Sequence, residues 1–109
     1  MTRGHALSSL AVAASIAFVT PLYAEQNPER VATGRILAQS ICADCHTFGG
    51  PTRTDRAPPD FAAVGAMPSI TALSLKVFLR SPHAKMPDIQ LDDQQIDALT
   101  AFILDLGGK

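Results

Sequence analysis

The feature that most constrains this chain is the pentapeptide Cys42-Ala43-Asp44-Cys45-His46, which contains its only two cysteines. A C-x-x-C pair is compatible with a redox dithiol, half of a zinc site or haem attachment, and a His directly after the second Cys selects c-type haem. On a helical turn, positions i, i+3 and i+4 share one face, so both sulfurs reach the two vinyl groups of one porphyrin while the imidazole faces its iron. We therefore expect one covalently bound haem c, attached through Cys42 and Cys45, with His46 as an axial ligand of the iron.

The two competing interpretations of the cysteine pair lack supporting residues. A zinc site needs a second pair of ligands, and the sequence after His46 offers only His83 and no further cysteine. A thioredoxin-like dithiol is expected beside a βαβ pattern, and no segment alternates in the way of a strand. The haem interpretation is therefore favoured.

The first residues have the pattern of a secretory signal. Arg3 precedes an apolar run over residues 6–19, and Leu22-Tyr23-Ala24 stands before a polar switch at Glu25. The run is about 14 residues, shorter than the roughly 20 that span a bilayer. We expect a signal peptide over 1–24, cleavage after Ala24, and a periplasmic domain over 25–109 without a membrane span. An uncleaved membrane anchor is the alternative.

The mature chain is small and weakly charged. Removal of residues 1–24 from the 109-residue chain leaves 85 residues, a size that usually needs a disulfide set, a metal or a cofactor for stability. Arg3 is the only one of the nine Lys and Arg that lies in the leader, whereas all ten acidic residues follow it. No basic cluster indicates a nucleic-acid surface, so the expected partners are redox proteins.

The pattern of the mature chain predicts helices joined by loops. Asn27-Pro28-Glu29 is typical of a helix start, and the helix is expected to run to Ile41 with Gly34 inside it. A short helix is expected over 61–65 and a second clear one from Thr71 to a point before Pro82. Asp92 and Gln95 form a capping pair for the last helix, which ends at Gly107-Gly108.

The second axial position of the iron has three candidates in the sequence. Met86 and Met67 each precede a proline, and His83 lies in the same late loop as Met86. Methionine is also a common filler of core gaps, and a loop histidine is commonly exposed. The residue pattern alone leaves the choice open.

Taken together, the haem motif after a helix containing Gly34, Lys85-Met86-Pro87 in the late loop and the capped last helix resemble the class I cytochrome c family. The resemblance covers about residues 28–108 and is greatest to its short bacterial periplasmic members. It implies a small all-α fold of three to four helices around one haem, with the first and last helices crossing.

The resemblance also implies roles for individual residues. Met86 matches the sulfur ligand of the family and is favoured over His83 and Met67. Gly34 is expected at the helix crossing, facing Leu99 and Phe102. A proline carbonyl, from Pro58 or Pro59, is expected to accept a hydrogen bond from His46 and so fix its ring.

The residue types also suggest partners for the haem propionates and for the apolar wall around the haem. Arg53 and Arg56 are candidate partners for its propionates. The apolar candidates for the wall around the haem are Phe48, Phe61, Val64, Leu75, Phe78, Leu79 and Ile89.

These expectations converge on a one-electron carrier that is not an enzyme, because two filled axial positions leave none for oxygen or peroxide. The alternative is a haem c subunit of an exported dehydrogenase or oxidase complex. A haem sensor or peroxidase-like protein would need Met86 to dissociate. Only Lys76, Lys85 and Lys109 are lysines, which argues against docking steered by a strongly basic haem rim.

Overall fold

Four helices are found in the part of the chain that the structure, a computed structural model, describes: residues 27–50, 58–81, 83 and 86–109. They are α1 (Pro28–Ile41), α2 (Phe61–Ala66), α3 (Ala72–Arg80) and α4 (Asp93–Leu106). No strand occurs within these ranges, so the expected all-α class is confirmed. The expected signal peptide, residues 1–24, lies outside the described residues.

The helices begin where side chains cap their free N–H groups. The side chain of Asn27 accepts a 2.8 Å hydrogen bond from Glu29 N, and Pro28 occupies the first helical position. Capping boxes open α3, between Thr71 and Ser74, and α4, between Asp92 and Gln95. These caps confirm the expected helix starts.

The crossing of α1 and α4 depends on Gly34. A Cβ added at Gly34 would lie 2.8 Å from Phe102 Cβ and 2.6 Å from the carbonyl carbon of Ala98. Phe102, expected at this crossing, is confirmed there, and the other closest contacts come from the backbone of Ala98 and not from Leu99. The backbone of Ala98 takes that position because the two helices approach too closely for a large side chain between them.

A second close backbone contact joins α2 to the end of α4. A Cβ at Gly65 would lie 3.0 Å from Gly107 N, and it would also collide with the carbonyl oxygen of Ile103. Neither glycine was expected to have this role. The contact holds α2 against the last turn of α4.

The core is centred on α4, which packs against each of the other three helices. Leu99, Phe102 and Ile103 are almost completely buried, and they contact Ala38 of α1, Phe61 of α2 and Leu75 of α3 within one cluster. The buried face of α4 is thus the centre of the fold. One side of this cluster opens into a cavity.

Candidate haem site

A cavity lies between the end of α1, helices α2 and α3, and the loop before α4, and it has a volume of about 720 Å³. This volume falls within the range of roughly 300–1,000 Å³ that is usual for cofactor pockets. Cys42, Cys45 and His46 line it, together with Met86 and His83 from the loop before α4. The three residues of the haem motif and two of the three candidates for the second ligand therefore meet in one place.

The haem motif forms a turn that continues from α1. Cys42 is the C-cap of α1, and its carbonyl oxygen accepts hydrogen bonds from Cys45 N at 3.1 Å and His46 N at 2.8 Å. These i→i+3 and i→i+4 bonds place both sulfurs and the imidazole on one side, as the spacing indicated. Both thiols are free, and burial raises the pKa of the Cys42 thiol.

His46 is oriented by the chain that leads into α2. Its Nδ1 donates a 2.8 Å hydrogen bond to the carbonyl oxygen of Pro59, which has no proton to give in return. Of the two prolines expected for this contact, Pro59 is the one that makes it. Because Nδ1 carries the proton, the lone pair of the neutral ring lies on Nε2, the nitrogen that can bind a metal.

Asp60, the residue after Pro59, joins this carbonyl to the backbone that follows the motif. Its Oδ2 accepts hydrogen bonds from Thr47 Oγ1 at 2.6 Å and from the N–H groups of Gly49 and Gly50 at 2.7 and 3.3 Å. Its Oδ1 caps α2 by accepting from the N–H groups of Ala62 and Ala63. We call this set of five bonds the Asp60 clamp.

The clamp also determines the ionisation of Asp60, which is 8% exposed. Burial acts to raise the pKa of the carboxyl group, but the hydrogen bonds from Thr47 and from the N–H groups of Gly49, Ala63 and Gly50 lower it to about 2. The carboxylate is therefore ionised at neutral pH, and a fixed negative charge stands next to the Pro59 peptide.

Apolar side chains form most of the remaining wall of the cavity. Six of the seven candidates named from the sequence line it: Phe61, Val64, Leu75, Phe78, Leu79 and Ile89. Phe48 is the exception, because it packs between the rings of Phe61 and Phe102, with centroids 5.2 and 5.7 Å away, and so lies behind the wall. Such a wall excludes water from a haem and tunes its potential.

Two of the three candidates for the second axial ligand lie at the cavity. Met86 and His83 line it, with Met86 Sδ 2.6 Å from His83 Nε2. Met67 is not among the residues that line this cavity; it is 46% exposed, and its carbonyl oxygen accepts a hydrogen bond from Lys109 Nζ. Met67 is thus the weakest of the three candidates.

One arginine at the cavity, Arg80, was not expected from the sequence. Arg80, in the last turn of α3, lines the cavity, and its Nη2 lies 2.5 Å from Asp93 Oδ1 at the start of α4. The arginines suggested as propionate partners, Arg53 and Arg56, lie outside the described residues. A basic residue at a helix end before a loop was the signal that could have identified Arg80.

The chemistry of the lining residues fits a haem c. Two thiols can form the thioethers, one imidazole has its metal-binding nitrogen free, and the surrounding wall is apolar. Among the described residues no group of three or more His, Cys, Asp or Glu side chains could hold a metal ion on its own. The zinc interpretation gains no support from these residues.

Comparison with known families agrees with this site. A family model described as cytochrome c oxidase, cbb3-type, subunit III matches residues 29–103. The chain belongs to this family. It is a c-type cytochrome family, which confirms the resemblance drawn from the motif and implies that haem c is the bound cofactor. The comparisons with curated proteins and with solved structures gave no match.

The chemistry of haem c gives each part of the site a possible role. When bound, haem c supplies an iron that takes up and gives back one electron. The sulfurs of Cys42 and Cys45 are the atoms that would form the thioethers, and the Pro59 carbonyl holds the His46 ring in one orientation.

None of the helices in the described ranges has both the length and the apolar character needed to cross a membrane.

Proposed function

We propose that this chain is an exported monohaem electron carrier whose iron is bound by His46 and Met86. The observation that carries the proposal is the convergence of Cys42, Cys45 and His46 on one cavity, with His46 Nδ1 held by the Pro59 carbonyl. That hydrogen bond fixes the ring and increases its donor strength, as partners of ligating histidines commonly do.

Met86 is proposed as the second ligand because it lines the same cavity and lies in the loop before the last helix, where the resemblance to class I cytochromes c predicts the sulfur ligand. Pro87 follows it and restricts its backbone to extended conformations, which limits where the thioether can go. A thioether ligand raises the reduction potential relative to a second imidazole. With both axial positions filled, the protein is a carrier and not an enzyme.

The optical spectrum of the purified oxidised protein, made with haem-maturation machinery, tests this ligation. We expect the weak long-wavelength band of sulfur-to-ferric-iron charge transfer in the parent and its loss in Met86→Ala. A Met67→Ala variant is the matched control and should keep the band, because Met67 does not line the cavity. A parent protein without the band would refute Met86 as the ligand.

Export is proposed from the leader pattern of residues 1–24. Fractionation of a Gram-negative host that attaches haem c should place the protein in the periplasm, and N-terminal sequencing should begin at Glu25. A membrane-bound protein that retains Arg3 would favour the uncleaved anchor.

A second candidate function, a haem c subunit of an exported oxidase complex, is supported by the description of the matching family and by one feature of the surface. Leu73, Val77 and Phe78 on α3 are each more than half exposed, and Phe78 also lines the cavity. An apolar patch beside a haem site suits a lasting contact with a neighbouring subunit. Co-purification with an oxidase from detergent-solubilised membranes, weakened by Leu73→Ser with Val77→Ser, would favour this candidate.

A further inference from the structure

His83 is held in a manner that resembles His46. Its Nδ1 lies 3.0 Å from the carbonyl oxygen of Ser81, and its ring stacks on Phe78 with centroids 4.3 Å apart and planes inclined by 27°. The backbone carbonyl and the aromatic face together fix the position and the rotation of the imidazole. His83 is only partly exposed and lines the cavity.

The contact with Ser81 decides which nitrogen of the neutral His83 ring has a lone pair. The Ser81 carbonyl oxygen and the Met86 sulfur both accept hydrogen bonds, and a neutral ring has only one N–H to donate. The carbonyl oxygen is the stronger acceptor, and in the tautomer that donates to it Nδ1 carries the proton and Nε2 has the lone pair. Nε2 is the nitrogen that lies 2.6 Å from Met86 Sδ. A metal-binding histidine typically donates its other N–H to a backbone carbonyl in this way, and His46 does so with Pro59.

From this geometry we infer that His83 is a reserve axial ligand, which binds the haem iron through Nε2 when the sulfur of Met86 is absent or displaced. The inference rests on the proposed ligation by His46 and Met86. Because Nε2 and Sδ are neighbours on the cavity wall, an iron within reach of one atom is within a short side-chain movement of the other. A neutral imidazole is also among the commonest ligands of metals in proteins.

The exchange is balanced without a further reactant. The bond from iron to Met86 Sδ would break and a bond to His83 Nε2 would form. Nδ1 would keep its proton and its hydrogen bond to the carbonyl oxygen of Ser81. No electron leaves or enters, so the exchange is possible in either oxidation state. The chain would then avoid an open iron position, and its reduction potential would fall because nitrogen replaces sulfur.

Four holoproteins test the inference: the parent, His83→Ala, Met86→Ala and the double variant. Optical and electron paramagnetic resonance spectra of the ferric forms report spin state, and carbon monoxide added to the ferrous forms reports an open position. Met86→Ala is expected to stay low-spin, without the sulfur band and with weak binding of carbon monoxide. The double variant is expected to become high-spin and to bind carbon monoxide at least ten times more tightly than Met86→Ala, while His83→Ala alone keeps the sulfur band. Met86→Gln, close to Met in length, replaces Met86→Ala if the alanine variant fails to fold, and is expected to behave in the same way.

A high-spin Met86→Ala that binds carbon monoxide as well as the double variant does would overturn the inference and leave the proposed ligation intact. A parent that lacks the sulfur band and shows two nitrogen ligands would instead overturn the proposed ligation, since His83 would then be the resident ligand. The two failures are therefore distinguishable in the same set of spectra.

Discussion

The hydroxyl of Thr47 donates a 2.6 Å hydrogen bond to the carboxylate of Asp60, and so joins the residue after His46 to the residue after Pro59. A second bond runs beside it, from Phe61 N to Thr47 O at 2.9 Å. The hydrogen bond between His46 and Pro59 thus lies next to two other bonds that join the same two segments of the chain, residues 46–47 and residues 59–61. The position of the His46 ring depends on this group of contacts and not on the Pro59 carbonyl alone.

Removal of the Asp60 side chain is expected to destabilise the protein strongly. Asp60→Ala removes the acceptor of five hydrogen bonds in the Asp60 clamp, and we expect a loss of about 3 kcal/mol in the free energy of unfolding. Asp60→Asn keeps one oxygen that can cap α2, so it should lose less, about 2 kcal/mol. Denaturant unfolding of the three holoproteins at pH 7 measures both values. Equal stability of Asp60→Ala and the parent would show that the clamp is not structural.

The contribution of Asp60 to stability is expected to depend on pH. Its pKa is lowered from 3.8 to about 2 in the folded protein, so the folded state favours the ionised carboxylate. The stabilisation is complete above the unfolded value and is lost as the pH falls through about 2. The difference in unfolding free energy between the parent and Asp60→Asn should therefore be constant from neutral pH to about pH 5 and shrink between about pH 4 and pH 2. A difference that stays constant down to pH 2 would contradict the lowered pKa.

The sequence was most informative where the chemistry is local. Spacing alone placed Cys42, Cys45 and His46 on one side of a turn, and the caps at Asn27 and Asp92 marked the helix starts correctly. These features depend on a few neighbouring residues, so a short pattern determines them. The clamp joins positions 47 and 60, and no local pattern predicts such a pairing, although Asp60 before Phe61 could have been identified as a helix cap.

The crossing of α1 and α4 is expected to tolerate no side chain at position 34. In Gly34→Ala the new Cβ would collide with the backbone of Ala98, which cannot move without shifting α4. Overpacking of this kind costs about 1–3 kcal/mol, more than the roughly 1 kcal/mol that alanine gains in helix propensity. We expect a net loss of up to about 2 kcal/mol in thermal or denaturant unfolding. Gly50→Ala is the matched control and should be nearly neutral, because its new Cβ would meet only Thr47 Cβ at 3.9 Å.

The crossing of α1 and α4 also shows why a sequence predicts where two helices approach closely better than it predicts which atoms are in contact there. Gly34 was recognisable as a crossing point because glycine is unfavourable inside a helix. The contact with the Ala98 backbone was not, because which atoms of α4 face Gly34 depends on the rotation of that helix about its axis. The rotation is set by the whole core, which turns Leu99 toward the cavity and the Ala98 carbonyl toward Gly34.

Thr100 offers a stabilising substitution in the core. Its hydroxyl is buried and has no hydrogen-bond partner among the described residues. A buried hydroxyl without a partner costs free energy, and valine has nearly the same shape without the polar group. Thr100→Val is expected to raise the free energy of unfolding by about 1 kcal/mol. Thr33→Val is the matched control, and it should bring no gain because Thr33 is exposed and bonds the Glu29 carbonyl. Destabilisation by Thr100→Val would indicate a bonded hydroxyl.

The Asp60 clamp is also expected to influence the reduction potential, given the proposed ligation by His46. Thr47→Val removes one bond to Asp60 without altering any charge, and so loosens the segment that holds the Pro59 carbonyl against His46. A weaker hydrogen bond makes the imidazole a poorer donor, which stabilises ferric iron less and raises the potential. Spectroelectrochemistry should show a higher potential in Thr47→Val than in the parent, and no change in Thr33→Val, whose hydroxyl lies on α1. Because Thr47→Val leaves the charge on Asp60 in place, a higher reduction potential in this variant would be attributed to the changed geometry of His46. An unchanged potential would mean that the Pro59 carbonyl holds the His46 ring without help from Thr47.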